Sequence, residues 1–234
     1  LFALPVFLGN VFQQLYNAFD TWCVGYFIND DALAAVSSSG SLIFMMVSFF
    51  QGLSMGAGVV IARNFGAKQY DTMRKAIHTA TAFGLVTGVV LTVLGVALTP
   101  MILGWMGTPA DVFPKSVMYL RVYFCGSLAS IMYNICMGIL HAIGDSKHPL
   151  YYLIFSSCVN VVLDLIFCGG FGLGVEFAAL ATIIAQFLSV VLCMGRLMRV
   201  DDVYQIQLKE VRLDPVMIRQ IIKIGLPSGI QNSI

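Results

Sequence analysis

Charged residues are scarce in this chain, and their scarcity excludes an ordinary soluble domain. Lys and Arg number 13 and Asp and Glu number 12, so that 11% of the 234 residues are charged. Soluble proteins carry about 25%. The formal net charge of +1 also excludes the strongly basic character expected of a nucleic-acid-binding protein. We therefore expect no nucleic-acid partner.

Metal-binding, redox and catalytic motifs are missing as well. The six cysteines form no C-x-x-C pair and the three histidines no Cys/His cluster, so neither a disulfide framework nor a structural metal is implied. Residues 169–174 are rich in glycine but lack the lysine of a phosphate-binding loop. Membrane aspartyl proteases place one acid in Gly-x-Gly-Asp, and here the only Gly-Asp, at Gly144 and Asp145, falls in a predicted loop. We expect no enzyme and no cofactor.

What the chain has instead is long apolar stretches. Hydrophobic residues make up 59% of it, and they cluster into six stretches of about 20 or more residues, each sufficient as a helix to cross about 30 Å of hydrocarbon. The stretches are 1–28, 33–62, 78–98, 117–140, 148–169 and 175–198. The predicted fold is an all-α membrane protein, a bundle of six transmembrane helices.

The basic residues predict the orientation of this bundle. With a cytoplasmic N-terminus, only Lys115 and Arg121 of the 13 Lys and Arg residues lie outside. Cytoplasmic loops carry an excess of Lys and Arg. We therefore expect a multipass protein of the cell (inner) membrane with its N-terminus in the cytoplasm.

The polar segment after the sixth stretch predicts a boundary between two transmembrane lobes. Its mixed charges are typical of a solvated, partly helical connector. Beyond it the first residues of the chain are echoed, because Leu226, Pro227 and Asn232 repeat the spacing of Leu4, Pro5 and Asn10. Many transporters consist of such repeats. We predict a six-helix lobe at 1–199, a cytoplasmic linker between lobes at 200–217, and the start of a seventh helix at 218–234.

Two aspartates within the apolar stretches are the main functional signal. Asp20 and Asp164 lie where a carboxylate is costly to bury, and such residues usually face a polar pathway. Each belongs to a stripe of polar residues at intervals of three and four, which places the members of a stripe on one helical face. The predicted stripes are Asn10, Gln13, Asn17 and Asp20; Ser157, Asn160 and Asp164; and Thr182, Gln186 and Ser189.

The three stripes also agree in depth. In the predicted orientation Asp20, Asp164 and Thr182 all lie roughly 10–12 Å below the outer surface at a rise of 1.5 Å per residue. We therefore predict one site for cation coupling, formed by these three residues and Asn160, beside a cavity lined by the other stripe residues. Carboxylate, amide and hydroxyl groups of this kind can take up H⁺ or hold Na⁺. Pro5 removes a backbone hydrogen bond and allows the first helix to bend.

Residues spread along the whole chain resemble the multidrug and toxic compound extrusion (MATE) family. They are Leu4, Pro5, Asp20, Val24 and Gly25; Gly66 and Ala67; Gly144, Asp145 and Pro149; Asn160 and Asp164; and Gly172, Gly174, Ala178, Ala179 and Thr182.

The resemblance implies twelve helices in two lobes and export of small cationic amphipathic compounds in exchange for H⁺ or Na⁺. It also implies that Asp20, Asn160, Asp164 and Thr182 form the cation site of the amino-terminal lobe, and that Pro5 bends the first helix. For the full-length protein we expect a monomer surrounded by membrane lipid.

A flippase for lipid-linked oligosaccharides or polysaccharides, from the wider superfamily, is the alternative. The cavities of such flippases tend to be strongly basic in order to hold pyrophosphate. The polar stripes of this chain contain no Lys or Arg, which favours a cationic substrate.

Overall fold

The computed structural model describes residues 3–27, 30–171 and 174–233. Within these ranges it leaves undescribed the side chains of residues 3, 4, 10, 16, 17, 20, 21, 24, 25, 27, 30–39, 41 and 175. The described residues form eight α-helices: α1 (Ala3–Phe27), α2 (Asp30–Gly66), α3 (Tyr70–Trp105), α4 (Phe113–Cys125), α5 (Ser127–Ala142), α6 (Lys147–Asp164), α7 (Val175–Arg199) and α8 (Pro215–Ser233). A π-helical turn (Leu165–Gly170) continues α6, and a 3-10 turn (Leu208–Glu210) lies between α7 and α8.

Several of these helices have the length and composition of membrane spans. In the described part of the chain four segments are long and apolar enough to cross a bilayer: Leu42–Gly66, Tyr70–Trp105, Lys147–Gly170 and Glu176–Arg199. Helices α4 and α5 form a fifth span if the bent pair counts as one. The predicted first span corresponds to α1, many of whose side chains lie outside the described set.

The fourth predicted span, 117–140, differs from the observed structure. It is divided at Gly126 into α4 and α5, whose axes are bent by 45°. A Cβ atom placed on Gly126 would lie 2.4 Å from Cγ1 of Ile183 on α7. Glycine thus lets α7 approach the bend more closely than any side chain would permit. Such a close approach depends on tertiary packing, and the hydropathy of the sequence does not predict it.

The buried core joins α2, α3, α5, α7 and α8. Its largest fully buried side chains include Ile61, Met73, Ile77, Ile139, Leu140, Leu197 and Ile221. Large apolar side chains also cover the outside of the bundle, and Phe44, Trp105 and Phe171 are 63%, 75% and 72% exposed. An exposed apolar surface of this extent is typical of a protein that faces lipid.

Two helix contacts position the functional site and the end of the chain. Helix α6 packs between α1 and α7, and α1 also contacts the π-helical turn. Helix α8 lies along α2 at glycine-to-glycine contacts. A Cβ atom on Gly52 would lie 2.2 Å from the backbone nitrogen of Gly229, and one on Gly56 would lie 2.5 Å from Cα of Gly225. The two backbones therefore touch directly.

Candidate functional site

Asp164 is the last residue of α6 and is fully buried, with 0% of its surface exposed. The helix widens immediately after it, because residues 165–170 form a π-helical turn in which the amide of Phe171 donates to the carbonyl of Ile166 at 3.0 Å. Short π-helical segments occur frequently at functional sites. A buried carboxylate next to such a turn, in a helix long enough to span a membrane, marks this position as a candidate site.

Asn160 connects Asp164 to α7. It lies one turn before Asp164 and is also fully buried. With its amide nitrogen towards the acid, it donates to Oδ2 of Asp164 at 2.9 Å, and its amide oxygen accepts from the backbone N–H of Thr182 at 3.2 Å. With the opposite orientation, the amide nitrogen faces Oγ1 of Thr182 at 3.5 Å. The first orientation satisfies both ends of the amide, and buried polar groups are normally satisfied in this way.

Thr182 completes the cluster from the opposite helix. Its hydroxyl donates to the carbonyl of Ala178 at 3.1 Å, as Ser and Thr side chains often do inside helices. The oxygen keeps its own lone pairs as acceptors. Asn160 thus links the carboxylate of Asp164 on α6 to Thr182 on α7, so that three polar side chains lie in series between two packed helices. Hard cations prefer oxygen ligands, and the carboxylate can alternatively bind a proton.

Three of the predicted residues on α1 cannot be placed at this cluster. The side chains of Asn10, Asn17 and Asp20 lie outside the described residues. Only the helix that carries them is placed, and α1 packs against both α6 and the π-helical turn. The participation of Asp20 therefore stays a prediction.

The remaining polar residues of α6 and α7 lie elsewhere. Ser157 is half-buried, and its neighbour Ser156 is the serine that faces the protein interior. Gln186 accepts a hydrogen bond from the hydroxyl of Ser130 on α5, and Ser189 is only 2% exposed. Gln186 therefore links α7 to α5 in this structure.

A cavity of about 790 Å³ lies between α1, α2, α5, α6 and α8. Pro5 and Gln13 line it, whereas the Asp164 cluster and the residues Ser157, Gln186 and Ser189 are not among its lining residues. The structure therefore does not bring the predicted site residues into one site. Asn160, Asp164 and Thr182 form a buried polar cluster, whereas Pro5 and Gln13 line a separate cavity. Lining residues that carry a polar side chain are Gln13, Ser48, Gln51, Ser54, Tyr133, Asn134, His141, Ser146 and Asn232.

Most of these polar residues were missed by the sequence analysis, although a signal was present. Ser48, Gln51, Met55, Gly58 and Ala62 follow one another at intervals of three and four, which places them on one face of α2. That face mixes polar, apolar and small residues and has no acid, so it does not stand out as a polar stripe. The described lining of the cavity contains no Lys, Arg, Asp or Glu.

Comparison with known families gives a match over most of the chain. The MatE family profile matches residues 5–166. A Bacillus subtilis (strain 168) protein described as "Probable multidrug resistance protein YoeA" is 33% identical over 238 residues, covering 98% of this chain and 51% of that protein. This chain therefore spans about half the length of the curated relatives that it matches.

Solved structures also match nearly the whole of this chain over about half of their own length. A structure described as the outward-facing conformation of a multidrug resistance MATE family transporter of the MOP superfamily superposes with a TM-score of 0.91 at 26% identity, covering 98% of this chain and 51% of the other. A MOP superfamily transporter from Pyrococcus furiosus, described as having a reversed polarity of its binding pocket, gives 0.88 at 27% identity, with coverage of 98% and 51%. These matches confirm the predicted all-α membrane fold of one transporter lobe.

Proposed function

Because this chain belongs to the MatE family, we propose that it is the amino-terminal part of a secondary active transporter that exports small cationic amphipathic compounds in exchange for H⁺ or Na⁺. Membership confirms the family predicted from the sequence. It also confirms that the chain is not an enzyme, because members of this family are transporters.

The observation that carries the proposal is the buried acid of α6. Asp164 is 0% exposed and is held by Asn160, which also contacts α7. A buried carboxylate is costly when charged and much less so when it binds a cation. Loading and unloading of H⁺ or Na⁺ would therefore change the relative free energies of two helix arrangements, as a coupling site must do. We assign Asp20 and Thr182 to the same site, since α1 packs on α6 and Thr182 contacts Asn160.

The cavity is compatible with a cationic substrate and, in its described part, lacks the basic groups that would hold pyrophosphate. Its described lining offers amide, hydroxyl and aromatic groups and carries no Lys or Arg that would repel a cation or bind pyrophosphate. Ligand pockets typically combine an apolar surface with a few placed polar groups in this way. The structure from Pyrococcus furiosus, with a pocket described as reversed in polarity, shows that this fold also accommodates other pocket chemistry. For this reason the flippase stays the second candidate.

A transport assay on the full-length protein tests the proposal. In proteoliposomes, an imposed gradient of H⁺ or of Na⁺ is expected to drive ethidium against its own gradient, and the gradient that works identifies the coupling ion. Collapse of that gradient with an ionophore should stop export. If neither gradient moves ethidium but a lipid-linked pyrophosphate is translocated, the protein is a flippase and the proposal fails.

We also propose that the N-terminus and the linker between α7 and α8 are cytoplasmic. Eleven of the 13 Lys and Arg residues then lie on the cytoplasmic side, as the positive-inside rule requires. A single cysteine introduced at the exposed position Asp201, in a background without accessible cysteines, should react with an impermeant maleimide only after the cells are permeabilised. Labelling in intact cells would place the linker outside the cell and would contradict the proposed orientation.

A further inference from the structure

The segment 200–214 between α7 and α8, which we call the strap, is docked onto the bundle. Ile206 is 2% exposed and belongs to the same core as Met73 and Leu197, and its amide donates to the carbonyl of Leu197 at 2.9 Å. Gln205 donates through Nε2 to the carbonyl of Met198 at 3.0 Å. The sequence predicts a solvated connector here, and the structure differs because one isoleucine of this polar segment enters the core.

Three contacts hold the strap to the first turns of α3. The guanidinium of Arg74 pairs with Glu210, with Nε 2.9 Å from Oε2. The amide of Gln207 donates to Nε2 of His78 at 3.0 Å, and the amide of Asp214 approaches Oγ1 of Thr79 at 3.4 Å. The carboxylate of Asp214 in turn accepts from the amides of residues 216 and 217, at 2.8 and 3.2 Å, at the start of α8.

The contacts of His78 determine its protonation state. Nδ1 lies 2.8 Å from the carbonyl oxygen of Arg74, which can only accept, so Nδ1 carries the proton. Nε2 lies 3.0 Å from the amide of Gln207, which can only donate, so Nε2 is unprotonated. The imidazole is therefore neutral, and its side chain is 3% exposed. A second proton would sit on Nε2 and point directly at the amide of Gln207.

We propose that the strap is a pH-sensitive clasp, in which neutral His78 holds residues 205–209 on α3 and protonation of His78 releases them. The strap leads directly into α8, and its release would free the start of that helix from α3. Histidine is the side chain whose ordinary pKa of about 6.5 allows such a change in the physiological range.

The charged groups around His78 have opposite effects on the protonation of its imidazole. Glu210 of the strap, whose Oε2 lies 3.8 Å from Nδ1, favours the protonated ring. Arg74 of α3 opposes it. The surrounding cleft of about 480 Å³ adds Asp71 and Lys75 from α3 and Lys209, Arg212 and Asp214 from the strap and its end. These groups nearly balance in charge. Protonation of His78 therefore has to overcome the burial of the ring and the loss of the hydrogen bond at Nε2.

Amide hydrogen exchange on the purified full-length protein tests the clasp. His78→Gln places an amide oxygen near the position of Nε2, where it can accept from Gln207 without titrating, whereas His78→Ala removes the acceptor. At about pH 8 the wild type and His78→Gln should protect Gln207 equally. At about pH 5 the wild type should exchange at least about fivefold faster than His78→Gln, as expected for one lost hydrogen bond. Comparison at matched pH cancels the intrinsic pH dependence of exchange.

Each outcome supports the clasp or overturns it. In His78→Ala the amide of Gln207 should exchange fast at both pH values. Protection of this amide equal to that in the wild type at about pH 8 would overturn the proposal. In His148→Gln, which removes a different imidazole, the amide of Gln207 should still exchange faster at about pH 5, as in the wild type. Loss of this pH response would assign the switch to His148 and overturn the proposal. Should His78→Gln not fold, the protection factor of Gln207 in the wild type, taken against the unstructured peptide at the same pH, must still fall. The test needs no transport and does not depend on the proposed function.

Discussion

Asp164→Asn in the full-length protein is expected to abolish ethidium export and to leave the amount of protein in the membrane unchanged. The new side chain has almost the same size, and its oxygen can still accept from Nδ2 of Asn160, which contacts Asp164 at 2.9 Å. It has no charge, and it neither binds a proton near neutral pH nor attracts Na⁺. Gradient-driven efflux from proteoliposomes should therefore fall to the background of empty vesicles.

The matched control changes another aspartate in the same way. Asp201→Asn removes one negative charge at an exposed position of the strap, and we expect it to export at the wild-type rate. Full export by Asp164→Asn would show that this residue is not part of the coupling site. Reduced membrane insertion of that variant would instead assign Asp164 a structural role. The same assay on Asp20→Asn tests the contribution of the second acid.

The sequence was sufficient to group the residues of the α6–α7 cluster. Asn160 and Asp164 are four residues apart in a helix and must share a face. Thr182 follows after a short loop, and two helices joined by a short loop pack antiparallel beside each other. Similar distances from that loop predict Thr182 at the level of Asp164, and in the structure Thr182 contacts Asn160, one turn before Asp164.

Other features depend on three-dimensional packing, which local patterns do not encode. At the bend between α4 and α5, Ile183 of α7 occupies the space that a Cβ atom of Gly126 would need. The π-helical turn after Asp164 leaves no trace in the hydropathy pattern. On α2, Gln51 lines the cavity together with Met55 and Gly58, so the face has no uniform polarity to recognise. In the strap, Ile206 is buried in the core and Tyr204 and Val211 pack against it, although the polar composition of the segment predicts a solvated connector.

Gly56→Ala is expected to destabilise the full-length protein by about 1–3 kcal/mol, the usual cost of forcing extra atoms into a packed interior. The new Cβ atom would lie 2.5 Å from Cα of Gly225 and 2.7 Å from the carbonyl oxygen of Ile221. Both are backbone atoms of α8, and no flexible side chain can move aside. Helices α2 and α8 would have to separate, which would also disturb the core around Ile221. Thermal unfolding in detergent should show a lower midpoint temperature.

Gly195→Ala separates this steric effect from the general effect of replacing a helical glycine. Gly195 lies within α7, and a Cβ atom placed there meets nothing within 4 Å. Alanine loses less conformational freedom on folding than glycine, so this substitution should stabilise the helix by about 0.5–1 kcal/mol. The two variants carry the same chemical change and should shift the midpoint temperature in opposite directions. If both raise it, α2 and α8 do not touch through their backbones in the full-length protein.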